Sequence, residues 1–164
     1  MTMLWRAGFL ALLLVFVAAG PGSAQERITG VASVIDGDTI EIHGVRIRFF
    51  GIDAPEGGQQ CRRPEGSSWR CGQQAALALS DHIERSTIRC EVRDRDRYGR
   101  TVAVCFRGNE DLNRWMVANG WAVAYRQYSI DYIADEDAAR RSRIKMWAGS
   151  FDMPWDWRVG RRNR

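Results

Sequence analysis

Two short acidic turns enclose one hairpin, and this arrangement limits the chain more than any other feature. Asp36-Gly37-Asp38-Thr39 precedes it and Asp53-Ala54-Pro55-Glu56 follows it. The run between them, Ile40 to Ile52, reads as two strands, Thr39 to His43 and Val45 to Ile52, turning at Gly44. Folding that run back on itself brings Asp38, Asp53 and Glu56 together, with Arg48 on the same hairpin. Three carboxylates and a guanidinium in one small space are costly unless a cation and an anion sit among them. The pattern therefore points to a metal ion and a phosphate.

The remaining chain predicts a small barrel. Ile28 to Ile35 reads as a strand, and Thr87 to Arg93 and Thr101 to Arg107 as two more, joined by the charged turn Asp94 to Arg100. Gly57 to Arg70 is rich in Gly, Gln, Ser, Arg and Pro and reads as a loop. Helices are predicted over Gly72 to Arg85, over Glu110 to Asn119 with Gly120 at the C′ position, and over Ile130 to Lys145, whose acids precede its arginines as the helix dipole favours. Five short strands with helices after the third and fifth suggest an α+β, mainly β, five-stranded OB-fold barrel with about three helices.

The N-terminus reads as an export signal. Arg6 precedes the apolar run Phe9 to Ala19, too short to span a bilayer, and Gly22-Ser23-Ala24 has the small residues of a cleavage site. Residues 1–24 are thus expected to be a signal peptide and 25–164 a single domain with a short basic tail and no membrane span. Cys61, Cys71, Cys90 and Cys105 agree with export. Their spacing contains no Cys-x-x-Cys pair, which disfavours zinc. Of the three possible connectivities, Cys61–Cys71 closing the loop and Cys90–Cys105 crossing a hairpin are expected. The formal net charge of +4 agrees with a polyanionic partner, although a solvated surface explains it equally well.

Asp38 and Asp53 are hard oxygen ligands that, with carbonyls and waters, suit Ca²⁺; Mg²⁺ remains open. Either acidic turn alone is an ordinary turn; their pairing across one hairpin gives them chemical meaning. Arg48 is either a surface residue on the alternate face or, if its face is shared with Asp38, placed to fork a phosphate; Arg100, from the distant turn, is either a hairpin charge or a second fork on the same phosphate. Glu56 can accept a proton from an attacking water. Tyr98 and Tyr125 can stack on a base. His43 reads as solvated and His82 as part of a helix's polar face. Trp115, Trp121 and Trp147 read as core, and Trp155 and Trp157 as packing the tail onto the barrel.

At these residues the chain resembles the staphylococcal nuclease (thermonuclease) family. The likeness runs from Ile28 to Trp147. It rests on Asp36-Gly37-Asp38-Thr39-Ile40, Arg48 and Asp53-Ala54-Pro55-Glu56, on Asp96-Arg97-Tyr98-Gly99-Arg100, and on Leu112-Asn113 through Gly120 to Ala124-Tyr125. The resemblance implies an OB-fold and Ca²⁺-dependent hydrolysis of DNA and RNA. It implies Asp38, Asp53 and the Ala54 carbonyl as Ca²⁺ ligands, with Asp36 supporting them from behind. It implies Glu56 as base or water-orienting group, Arg48 and Arg100 on the scissile phosphate, and Tyr98 and Tyr125 at the nucleotide. Cys61 and Cys71 stand in place of the family's lysine-rich loop, and Gln127 replaces a second pocket tyrosine.

The expected protein is a monomeric periplasmic or secreted endonuclease that prefers single-stranded or frayed duplex substrates. The alternative is a catalytically silent barrel that binds nucleic acid or protein. A third reading, an envelope protein held by its arginine-rich tail, leaves the acidic pair and Arg48 unexplained. A binding module has no need for Asp38, Asp53, Glu56, Arg48 and Arg100 together.

Overall fold

The computed structural model describes residues 25–162. The proposed signal peptide lies outside the described residues. In chain order the elements are β1 (Arg27–Val31), β2 (Ser33–Asp36), β3 (Thr39–Ile42), β4 (Val45–Phe49), β5 (Ile52–Asp53), β6 (Cys61–Arg62), β7 (Ser68–Trp69), α1 (Cys71–Ile83), β8 (Thr87–Arg95), β9 (Thr101–Arg107), β10 (Glu110–Asp111), α2 (Leu112–Ala118), β11 (Val123–Ala124), α3 (Ile133–Arg141) and α4 (Pro154–Arg162), with a 3₁₀ turn at Lys145–Ala148.

The main sheet runs β1-β8-β9-β4-β3-β2, with β10 beside β9. β4 and β9 are parallel, and the other pairs are antiparallel. β1 and β2 stand at opposite ends of this order, yet only Ala32 separates them in sequence. The sheet must therefore curl round, and counting β1 and β2 as one bent strand gives the five strands expected of an OB-like α+β barrel. The hairpin register pairs Ile40 with Ile47 and Ile42 with Val45. His43 and Gly44 both have positive φ, 52° and 79°, as a two-residue hairpin turn of the primed type requires.

Ile40, Ile42, Ile47 and Phe49 fill the interior, where they meet Ala75, Leu79 and Ile83 of α1 and Leu112, Met116 and Val117 of α2. The buried face of α1 is Cys71, Gly72, Ala75, Leu79 and Ile83, with Ala76 only half-buried. Buried Asn113 ties the layers together: its amide nitrogen donates to the Phe50 and Ala103 carbonyls, and its oxygen accepts from Cys105 N. Cys90 and Cys105 face each other across β8 and β9 and are bonded, as are Cys61 and Cys71. Both pairings agree with the sequence reading. They also place the fold in an oxidising compartment.

Four details differ from expectation. Residues 110 and 111 pair with β9, so α2 begins later, capped by the Asp111 side chain accepting from Arg114 N. α3 covers only Ile133–Arg141, because Arg143 and Lys145 adopt left-handed φ values of 51° and 50°. The Gly57 to Arg70 loop holds a small β6–β7 hairpin. The tail forms a fourth α-helix, α4, with Pro154 at its first turn. Among the described residues, no helix is long and apolar enough to cross a membrane.

Candidate active site

The site forms where the β2–β3 turn, β4 and β5 meet. Asp38 and Asp53 are both buried, and Arg48 lies between them. Its Nη2 is 2.8 Å from Asp38 Oδ2 and 2.6 Å from Asp53 Oδ1, and its Nη1 donates to Asp38 Oδ1 at 3.2 Å. Asp38 also accepts from Thr39 Oγ1 at 3.0 Å and from Ala54 N at 3.1 Å. Asp36 Oδ1 accepts from Asp38 N at 3.3 Å, so Asp36 shapes the turn from behind. β5 is held by β11, with Val123 opposite Asp53. The sequence brings these groups together because register and turn type are both fixed locally.

Burial pushes the Asp38 carboxyl up to about 6, against the pull of Arg48. Burial likewise raises Asp53, against hydrogen bonds from Arg158 and charge from Arg48 and Arg158. Burial works against the charge on Arg48, but the two carboxylates outweigh it and raise its pKa. Burial makes the charged form of both acids costly, and a cation held beside them offsets that cost.

Glu56 sits in a turn closed by Gln59, whose backbone N donates to Glu56 O at 2.7 Å and whose side-chain oxygen accepts from Glu56 N at 3.3 Å. Glu56 Oε1 and both Asp53 oxygens are bound by Arg158 of α4: Nη1 lies 2.8 Å from Glu56 Oε1 and 3.0 Å from Asp53 Oδ1, and Nη2 lies 2.6 Å from Asp53 Oδ2. Sequence reasoning missed Arg158. It stands 105 residues from Asp53, and the only signal was its place in the basic tail.

Arg100 is placed differently from Arg48. Its Nε donates to Asp96 Oδ2 at 2.7 Å, and its guanidinium lies 5.6 Å from the Tyr98 ring centre. No described bond joins it to the acidic cluster. It precedes Thr101, which pairs with Ile47, so it stands on the rim one strand away from Arg48. Tyr98 is exposed. Tyr125 follows β11, stacks on Trp155 of α4 at 5.3 Å and meets Tyr128 edge-on. His82 bonds Glu110 and stacks on Trp115, which links α1 to α2.

The chemistry of the donor set fits a hard divalent cation held through oxygen. Among the described residues, no group of three or more His, Cys, Asp or Glu converges as a metal cage. Asp38, Asp53 and the Ala54 carbonyl would therefore share such an ion with water and substrate oxygens, as Ca²⁺ and Mg²⁺ accept.

A second feature opens beside the start of α1. A cavity of about 590 Å³ is lined by Arg63, Arg70, Lys145, Trp69, Trp121 and Gln73, among others. Arg63 lies over Trp69 and Lys145 over Trp121, and the two indoles meet edge-on.

A mainly β barrel carrying buried acids and arginines on one rim defines a phosphodiester hydrolase acting on nucleic acid. The family profile described as Staphylococcal nuclease homologue matches residues 46–149, which include Arg48, Asp53, Glu56 and Arg100. The chain belongs to the staphylococcal nuclease family. It is 42% identical to "Succinoglycan biosynthesis protein ExoI" of Rhizobium meliloti, over 94% of this chain and 81% of that protein. It is 31% identical to "Micrococcal nuclease" of Shigella flexneri, over 94% and 92%. An "Uncharacterized endonuclease" of Haemophilus influenzae is 31% identical over 90% and 82%.

Proposed function

We propose that the protein is an exported, Ca²⁺-dependent endonuclease that hydrolyses phosphodiester bonds of DNA and RNA in the periplasm or outside the cell. The observation that carries this reading is the pair of buried carboxylates, Asp38 and Asp53, spanned by one guanidinium with Glu56 alongside.

Asp38, Asp53 and the Ala54 carbonyl would hold Ca²⁺, which supplies positive charge to a phosphate oxygen. Glu56 takes a proton from the attacking water, whose oxygen bonds to phosphorus. Arg48 and Arg100 donate to the phosphate oxygens as negative charge grows there. The P–O bond to the 5′ oxygen breaks, that oxygen takes a proton from solvent water to leave as a 5′-hydroxyl, Glu56 returns its proton to solvent, and a 3′-phosphate end remains. Tyr98 and Tyr125 stack on the bases, and the Trp69–Trp121 cavity takes the flanking strand, with Arg63, Arg70 and Lys145 at its phosphates. A cavity of this type favours single strands or frayed duplex, whose bases are free to stack.

Digestion of plasmid and single-stranded DNA with Ca²⁺, and then with a chelator, tests the reading. Cleavage in Ca²⁺ that stops in the chelator is expected. Undiminished cleavage in the chelator sinks the metal mechanism. Tight binding without cleavage under any metal, from folded protein, selects the catalytically silent binding module instead.

A further inference from the structure

α4 lies beyond the residues shared with the family profile, which ends at 149. It nevertheless reaches into the active site at two points. Trp155 and Arg158, three residues apart, share one face of the helix. Trp155 stacks on Tyr125 with the rings 11° from parallel, where the proposed substrate places a base. Arg158 binds both oxygens of Asp53 and one of Glu56, where the proposed mechanism needs a metal ion and a water. One short helix thus presents an aromatic ring to Tyr125 and a positive charge to Asp53 and Glu56.

We propose that α4 is an autoinhibitory strap, with Trp155 standing in for a nucleobase and Arg158 for the divalent cation, and that metal and nucleic acid together displace it. The inference rests on the nuclease reading of the site. The Arg158 guanidinium takes both oxygens of Asp53, so its charge and that of a metal ion compete for the same carboxylate.

The chain around the helix is built for such a movement. The segment just before α4 is anchored: Ser150 exchanges backbone hydrogen bonds with Arg62, and Gln59 Nε2 donates to the Asp152 carbonyl at 2.6 Å. Gln59 also holds the Glu56 turn, so the anchor and the catalytic turn share one buried side chain. Within α4, Pro154 is buried and Trp157 half-buried beside the Trp155 and Arg158 contacts, and lifting the helix breaks no strand pairing. The closed position also leaves the Trp157 indole N–H buried with no acceptor among the described residues, which limits how strongly closure is favoured.

The test compares the full chain with Arg158→Gln and Trp155→Ala, each checked for a native melting transition. Ca²⁺ affinity is measured by calorimetry, with no nucleic acid present. Arg158→Gln is expected to bind Ca²⁺ roughly tenfold tighter, as removal of a mostly closed state requires. In the unmodified chain, amide hydrogen exchange over residues 154–162 is expected to speed up when Ca²⁺ and a single-stranded phosphorothioate oligonucleotide are bound. Trp155→Ala should tighten oligonucleotide binding more than Ca²⁺ binding. Equal Ca²⁺ affinity in the unmodified chain and Arg158→Gln, or helix exchange unchanged at saturation, overturns the strap; if cleavage is intact, the nuclease reading stands. A chain that neither binds Ca²⁺ nor cleaves overturns the nuclease reading, and the strap falls with it.

Discussion

The α-carbon of Gly72 is packed against the carbonyl of Glu56 so closely that a β-carbon there would stand 1.7 Å from the oxygen. Gly72 lies in the first turn of α1, and its N–H reaches the Gln59 carbonyl at 3.4 Å. The helix therefore supports the Glu56 turn by direct contact. Gly72→Ala must move either α1 or the Glu56 turn, since both contact atoms are backbone. We expect a loss of about 1–3 kcal/mol in urea unfolding, as overpacking typically costs. Cleavage should fall in the fraction that remains folded. A variant with unchanged melting and turnover would show that Glu56 is positioned by Gln59 alone.

Much of this site was legible because its parts are close in sequence and the barrel register leaves little choice. Ile40, Ile42, Ile47 and Phe49 must face inward, and that fixes where Arg48 emerges relative to Asp38 and Asp53. The cysteine pairs were legible for the same reason, since Cys90 and Cys105 flank one charged turn. Arg158 was not legible. Its position depends on how Met153 and Trp155 pack against Cys61, Cys71, Val123 and Met146, a cluster assembled from distant segments. The pairing of Arg100 with Asp96 also escaped notice, although the two stand four residues apart, because the turn read only as charged. The end of α3 was misjudged because charge order says nothing about the left-handed residues that stop it.

Asp38 should make the metal-free protein less stable as the solution becomes neutral. Its folded pKa, about 6, lies above its ordinary value of 3.8. Folding therefore favours the protonated form. The contribution is complete below about pH 4 and is lost as pH rises through 6, and a shift of this size is worth roughly 3 kcal/mol. In chelator, melting temperatures should fall between about pH 4 and pH 6, the window those two values bracket. Asp38→Asn should flatten that fall. A profile that Asp38→Asn leaves unchanged would assign the titration to another group.

Arg48 spans two buried carboxylates and is proposed to hold the phosphate as well, and two substitutions separate these roles. Arg48→Ala leaves Asp38 and Asp53 buried without their shared partner, and breaking a buried pair costs about 3–5 kcal/mol. Arg48→Lys retains one charge but not the fork that spans both carboxylates and reaches a phosphate. The lysine variant should melt closer to the parent while its turnover drops about 10²–10³-fold, the range for loss of one transition-state donor. Unfolding curves and single-turnover cleavage rates check both outcomes. Parental cleavage by Arg48→Lys would remove Arg48 from the phosphate.

The basic cavity should act on binding of long substrates and not on the chemical step. Arg63 and Arg70 are exposed, so replacing them with alanine leaves the core untouched. Each neutralises about one phosphate if a single strand occupies the cavity, and each phosphate contact contributes roughly 0.7 to the salt slope of binding. The double variant Arg63→Ala/Arg70→Ala should therefore raise KM for long single strands, leave kcat near the parent value and lower the salt slope by about 1.4. A dinucleotide occupying only the Asp53 site is too short to reach the cavity, so its cleavage should not change. Loss of dinucleotide cleavage would mean that the arginines act on the catalytic centre. An unaltered KM on long strands would mean that the flanking strand leaves the site by another path.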